Sequence, residues 1–152
     1  MKKKIAGLAL LALILTTTTF AKNIDDKQVN NKVVAAFNQQ FSQASDLKWS
    51  KTANYVEVSF KMNDQFMFAY FAETGELLGI ARNIVVNQLP INLQADIKKA
   101  YASSWVTELF EMAKDGETTY YITLENADQK VSLKSADGST WSTYKKVKKN
   151  AE

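Results

Sequence analysis

Three pairs of carboxylates are the groups best spaced for chemistry in this chain: Asp25 with Asp26, Glu73 with Glu76, and Asp115 with Glu117. Two neighbouring acids can divide the work of a general acid and a general base, or supply oxygen ligands to calcium. None of these pairs has the spacing of a calcium-binding loop. All fall at expected helix starts or turns, where acids cap backbone N–H groups and keep loops soluble. Histidine and cysteine are both absent, which removes the commonest general base, the commonest transition-metal ligands and every triad built on them. The glycines beyond residue 21 are Gly75, Gly79, Gly116 and Gly138, and they form no phosphate-cradling loop. The residue types therefore point to no catalytic group, no metal and no cofactor, and the expected function is non-enzymatic.

Aromatic side chains give a stronger signal than acids. If Asn63-Asp64 is a tight turn with Met62 opposite Gln65, then Phe60 faces Met67, Val58 faces Ala69 and Val56 faces Phe71. Strand side chains alternate between faces, so these residues belong to the core side. The other side carries Tyr55, Glu57, Ser59 and Lys61 beside Phe66, Phe68 and Tyr70. Three aromatics on one strand, with Tyr55 beside them, on a nominally solvent face form a candidate binding surface, because aromatic rings give large contact area at low entropic cost. Tyr55, Phe66, Phe68 and Tyr70 are the expected anchors, with Lys61 and Glu57 tuning specificity at the rim. The later hairpin has no such set. Its corresponding face reads Tyr121, Thr123, Glu125, Lys130, Ser132 and Lys134.

The elements that would position this face can be read from periodicity. Val29, Val33, Phe37 and Phe41 recur every four residues, the stripe of an amphipathic helix, and Leu93, Ile97, Tyr101 and Trp105 repeat the stripe 64 residues later. Asp25 and Asp26 are placed to cap the first helix, and Pro90 and Asn92 to open the second. Val56, Val58 and Phe60 alternate like Tyr120, Ile122 and Leu124, and Asn63-Asp64-Gln65 matches Ala127-Asp128-Gln129 as a hairpin turn. A short strand is expected around Trp49 and another around Met112, with further strands after the turns at Gly75 and Gly138. The pattern predicts an α+β fold of two tandem helix-plus-antiparallel-sheet repeats, with helices on one face of the sheet. The repeats span residues 22–83 and 84–152 and form one compact domain. The segment Asn83 to Leu89 is partly apolar, so the halves are expected to share a core.

Residues 1–21 read as a signal peptide. Lys2, Lys3 and Lys4 precede the apolar run Ile5 to Leu15, and cleavage is expected after Ala21. That run falls well short of the roughly 20 apolar residues needed to span a bilayer. The full chain holds 19 basic and 16 acidic residues; losing the three signal lysines leaves 16 of each and no net charge. Nucleic-acid binding thereby loses its electrostatic support, and Arg82 is the one arginine in the chain. Lys145 to Lys149 form a basic end, read as a solvated last strand and tail.

Several segments together resemble a known family: Val33-Val34-Ala35-Ala36-Phe37, Trp49, Tyr55 to Phe60, Thr74-Gly75-Glu76, Leu89-Pro90, Ile97 to Tyr101, and Tyr120 to Leu124. Over residues 28–145 the chain resembles the PepSY-like proteins exported by Gram-negative bacteria of the Bacteroidetes type. The resemblance implies a fold similar to the β-lactamase inhibitor protein, a periplasmic location in preference to release, and inhibition or regulation of peptidases or ligand binding near the cell surface. It brings no catalytic motif. The expected function is an exported binding or regulatory protein, inhibitor-like in form, that uses the sheet face opposite the helices. Its expected partner is a periplasmic or cell-surface protein, with neither nucleic acid nor a membrane span in the mature chain. A carrier of a small apolar ligand and a structural homodimer are the alternatives.

Overall fold

The computed structural model describes residues 22–149; the expected signal segment lies outside them. The chain divides into two compact units between Ile80 and Ala81. Among the described residues, no helix is long and apolar enough to cross a membrane.

The first unit opens with strand β1 (Lys22–Ile24), a 3-10 turn (Asp26–Gln28) and helix α1 (Asn31–Gln40). Asn30 caps α1 by accepting from the Lys32 N–H at 3.0 Å. Asp25 instead caps the 3-10 turn, with Gln28 closing the capping box. Strands β2 (Ser45–Lys51), β3 (Val56–Met62) and β4 (Gln65–Phe71) follow, and β5 (Leu77–Asn83) carries the boundary between the units. Asn63 and Asp64 both have positive φ, 51° and 61°, the signature of a two-residue type I′ hairpin. That turn sets the β3–β4 register, Met62 opposite Gln65 through to Val56 opposite Phe71.

Val33 and Phe37 of α1, with Val29 and Phe41 flanking it, pack on Trp49, Val56, Val58, Phe60, Ala69 and Phe71. Phe37 sits at the centre of this core. Its ring lies 5.1 Å from Phe60, 5.2 Å from Phe41, 5.4 Å from Trp49 and 6.4 Å from Phe71, mostly edge-to-face.

The second unit contains a 3-10 turn (Val86–Gln88), helix α2 (Ile91–Ala100) and strands β6 (Trp105–Lys114), β7 (Glu117–Glu125), β8 (Gln129–Ser135) and β9 (Ser142–Lys148). Asp115 and Gly116, with φ of 52° and 82°, make the β6–β7 turn. Its core is aliphatic: Ile84, Leu89, Leu93, Ile97, Leu109, Ile122, Leu124, Val131 and Leu133. Trp141 is bound to the helix by its indole N–H, which donates to the Leu93 carbonyl at 3.1 Å.

This architecture corrects the α+β expectation of two tandem helix-plus-sheet repeats. The described residues are mainly β, with nine strands forming one antiparallel sheet in chain order and two α-helices of only ten residues. The physical reason lies in the stripes. Val29 and Phe41 fall outside α1, and Trp105 starts β6 instead of ending a helix. A four-residue spacing that runs through a 3-10 turn or into a strand overstates helix length. In the apolar segment before α2, Ile84 and Leu89 belong to the buried cluster of the second unit, with Val86 packed against it.

Candidate functional site

The β3–β4 register puts three rows of side chains on the face opposite α1: Lys61 beside Phe66, Ser59 beside Phe68, and Glu57 beside Tyr70. The β2–β3 pairing extends two of them, adding Lys48 next to Ser59 and Ser50 next to Glu57. The six residues expected from sequence therefore lie on one face, but their environments differ. Phe66 is 64% exposed, while Tyr55 and Tyr70 are each only 7% exposed. Phe68, Lys61 and Glu57 are intermediate.

Tyr55 is fixed by its turn. The Thr52 hydroxyl accepts from the Tyr55 N–H at 3.1 Å and donates to the Tyr55 carbonyl at 3.2 Å. The Tyr55 ring meets Tyr70 edge-on, with centroids 5.6 Å apart. Glu57 lies within this group. Its carboxylate accepts from the Tyr70 hydroxyl, and from the Ser50 hydroxyl at 3.4 Å. Burial raises the Glu57 carboxyl above its ordinary range, with the Tyr70 and Ser50 hydrogen bonds opposing part of that rise. Burial also raises both tyrosines, and the Glu57 charge pushes them the same way. Tyr55, Glu57 and Tyr70 thus form a packed group at one end of the face, and Phe66, with half-buried Phe68 between, forms the accessible end. Lys61 pairs at 3.6 Å with Asp64 beside the hairpin turn.

The second unit is less polar on this face than its β7–β8 sequence suggests. Tyr121 is 5% exposed, stacked on Phe110 at 5.0 Å, edge-on to Tyr144 at 6.0 Å, and covered by the Lys134 ammonium at 5.8 Å. Burial, with Tyr144 adjacent, pushes the Tyr121 hydroxyl up to about 12. Phe110 was legible in principle: counting back from the Asp115-Gly116 turn places it opposite Tyr121. Tyr144 was not, because a bulge between Ser132 and Leu133 changes the side to which β9 residues point. Farther along, the Thr123 hydroxyl bonds Glu108 and Ser132, each at 3.1 Å.

Of the acid pairs, Asp25 caps a turn and Glu73 pairs with Lys51. Asp115 lies in the β6–β7 hairpin turn and Glu117 begins β7. Among the described residues, no three acids converge as a metal site. Two open clefts stand out among the described residues. One of about 640 Å³ lies between β1 and β2, and one of about 500 Å³ is lined by Pro90, Tyr120 and Gly138. Neither includes Phe66, Phe68 or the Ile84-Val85-Val86 segment expected to line a carrier's pocket.

Neither a family profile nor a curated sequence matches the chain. Solved structures do. A BLIP-like protein from Bacteroides fragilis aligns at 17% identity and a TM-score of 0.67, over 80% of this chain and 89% of that one. A DUF2874 family protein from Bacteroides ovatus aligns at 16% identity and 0.67, over 77% and 85%. A protein from Bacteroides eggerthii, assigned provisionally to the periplasm, aligns at 13% and 0.67, over 78% and 87%. At such low identity the likeness speaks for the fold, and the chain folds like the BLIP-like proteins of Bacteroides.

Proposed function

We propose that the chain is an exported, periplasmic, non-enzymatic binding protein, PepSY-like and inhibitor-like in form, whose contact surface is the β3–β4 face opposite α1. Cleavage after Ala21 would release it. The observation that carries this reading is the contrast along one hairpin face between exposed Phe66 and the Tyr55–Glu57–Tyr70 group two rows away, whose tyrosines are buried. A large apolar ring on a rigid strand has little conformational freedom to lose on binding, which favours its use as an anchor. Phe66 and Phe68 make the contact. Tyr55, Tyr70 and Glu57 hold the strands in register, and Lys61 gives a charged rim. The partner is a periplasmic or cell-surface protein that presents an apolar pocket. The BLIP-like name of the structural neighbour lends support to an inhibitor-like mode.

Sedimentation of residues 22–152, beside a Phe66→Ser/Phe68→Ser variant, tests this reading. A folded monomer in both cases, with only the parent retained by periplasmic proteins, is the expected result. A parent dimer converted to a folded monomer would make the face a self-association surface. A variant that fails to fold would make both rings core residues and end the proposal.

A further inference from the structure

The cleft between β1 and β2 is a separate feature, independent of the aromatic face. Strand β1 pairs with only the last part of β2: Lys22 with Lys51, Asn23 with Ser50 and Ile24 with Trp49. The chain then leaves the sheet through Asp25 into its 3-10 turn. Among the described strands, β1 is the sole partner of β2 on that side, so Ser45 to Lys48 continue past its end with no strand beside them. A sheet edge left this way presents backbone donors and acceptors that another extended segment can complete.

The vacated position is a cleft and not a flat edge. It has a volume of about 640 Å³ and is lined by Asn23, Ile24, Asp25, Asp26, Leu47, Lys48 and Trp49. That lies within the size range of ligand-binding clefts. Its apolar part is Ile24 and Trp49, opposite each other in the ladder, together with Leu47, 39% exposed. Its charged part is acidic on this side. Lys48 pairs with Ser59, so alternation directs its ammonium to the face opposite Trp49. Asp25 and Asp26, adjacent in the chain, remain on the rim. Two such groups repel unless a cation or a proton comes between them.

We infer that this cleft receives an extended peptide segment of another protein. The segment continues the line of β1 along Lys48 and Leu47 as far as the bulge at Asp46, places an apolar side chain on Leu47 and Trp49, and places a lysine or arginine at Asp25 and Asp26. Main-chain pairing supplies affinity, and the acidic rim selects the basic residue.

The test is an NMR titration of residues 22–152 with the acetylated peptide Lys-Ser-Val-Ser-Val, whose lysine and valines share one face, and its counterpart Glu-Ser-Val-Ser-Val. Amide shifts confined to Ile24 to Asp26 and Ser45 to Trp49 are expected. The basic peptide should bind about threefold to fivefold more tightly, the scale of one or two exposed ion pairs. Asp25→Asn/Asp26→Asn should abolish that preference, and methylating alternate peptide amides should abolish binding to the parent protein without any change to its fold. The Phe66→Ser/Phe68→Ser variant should bind the peptide unchanged, which separates this site from the aromatic face. No shifts at millimolar peptide, shifts centred elsewhere, or binding that survives amide methylation would overturn the inference.

Discussion

The two units solve the same packing problem with different side chains. In the first, a ten-residue helix packs an aromatic core, with Phe37 touching four other rings. In the second, an equally short helix packs leucine, isoleucine and valine. Their opposite faces differ in sign as well. The first keeps a partly buried acid, Glu57, among tyrosines, and the second keeps a lysine, Lys134, over a buried tyrosine. A buried carboxylate costs stability unless donors surround it, and Tyr70 and Ser50 are those donors. A cation over a ring costs little, because the ammonium stays in water. The first unit therefore maintains a costlier arrangement on the same face as its strongly exposed Phe66, and that difference points to the first unit as the functional one.

The largest expected effect is in the cores. Phe37→Ala should cost about 3–5 kcal/mol, because neighbouring rings cannot collapse into the hole. The aliphatic counterpart Ile97→Val should cost about 0.5–1.5 kcal/mol. Urea unfolding of both variants checks this, and equal losses would remove the distinction between the cores. The turn glycines come next. A Cβ on Gly75, whose φ is +88°, would meet the Lys32 carbonyl oxygen at 2.8 Å, whereas one on Gly138, φ +68°, meets nothing closer than Pro90 at 3.6 Å. Gly138→Ala should cost about 1–2 kcal/mol from left-handed strain alone, and Gly75→Ala more, read as the gap in their thermal midpoints. Tyr70→Phe should cost about 1–3 kcal/mol by leaving the Ser50 hydroxyl as the remaining donor to Glu57, while Phe66→Ser, at an exposed position, should stay within about 0.5 kcal/mol of the parent.

The smallest effects are in pH dependence, and the units should differ in sign. Glu57 has a raised folded pKa, so its contribution is fully present below the ordinary value of 4.5 and lost as pH rises through the folded value. Glu57→Gln should flatten that fall above pH 4.5. Asp137, in the second unit, is held well below 3.8, chiefly by the Ser139 and Thr140 N–H groups, with the Thr140 hydroxyl adding to them. Its contribution is present above 3.8 and lost as pH falls through the lower folded value, and Asp137→Asn should remove that acid-side loss. Unfolding midpoints of both variants across pH 3–7 test the signs; slopes of the same sign would contradict the assignment.

The parts of this molecule legible in its sequence were those set by local chemistry. Asn63-Asp64 fixed a hairpin, and strict alternation then placed every residue of β3 and β4 on its observed face. What depended on irregular geometry was hidden. Asp46, at φ 55°, accompanies a bulge in β2, and the bulge in β9 brings Tyr144 to Tyr121 against simple alternation. Helix length was overstated because Trp105 keeps the helical spacing while beginning a strand, 53% exposed under the Lys149 ammonium. Burial of Tyr55 and Tyr70 was equally hidden, since a face assignment states which way a side chain points and not what covers it.

Site-specific photocrosslinking in the exporting cell tests the central claim most directly. A photoreactive phenylalanine analogue would replace Phe66, with the same analogue at exposed Trp105 and Val147 in the second unit as controls. The account predicts a discrete higher-mass adduct from position 66 and none from 105 or 147. Equal adducts from all three positions, or none from position 66 in folded protein, would contradict it.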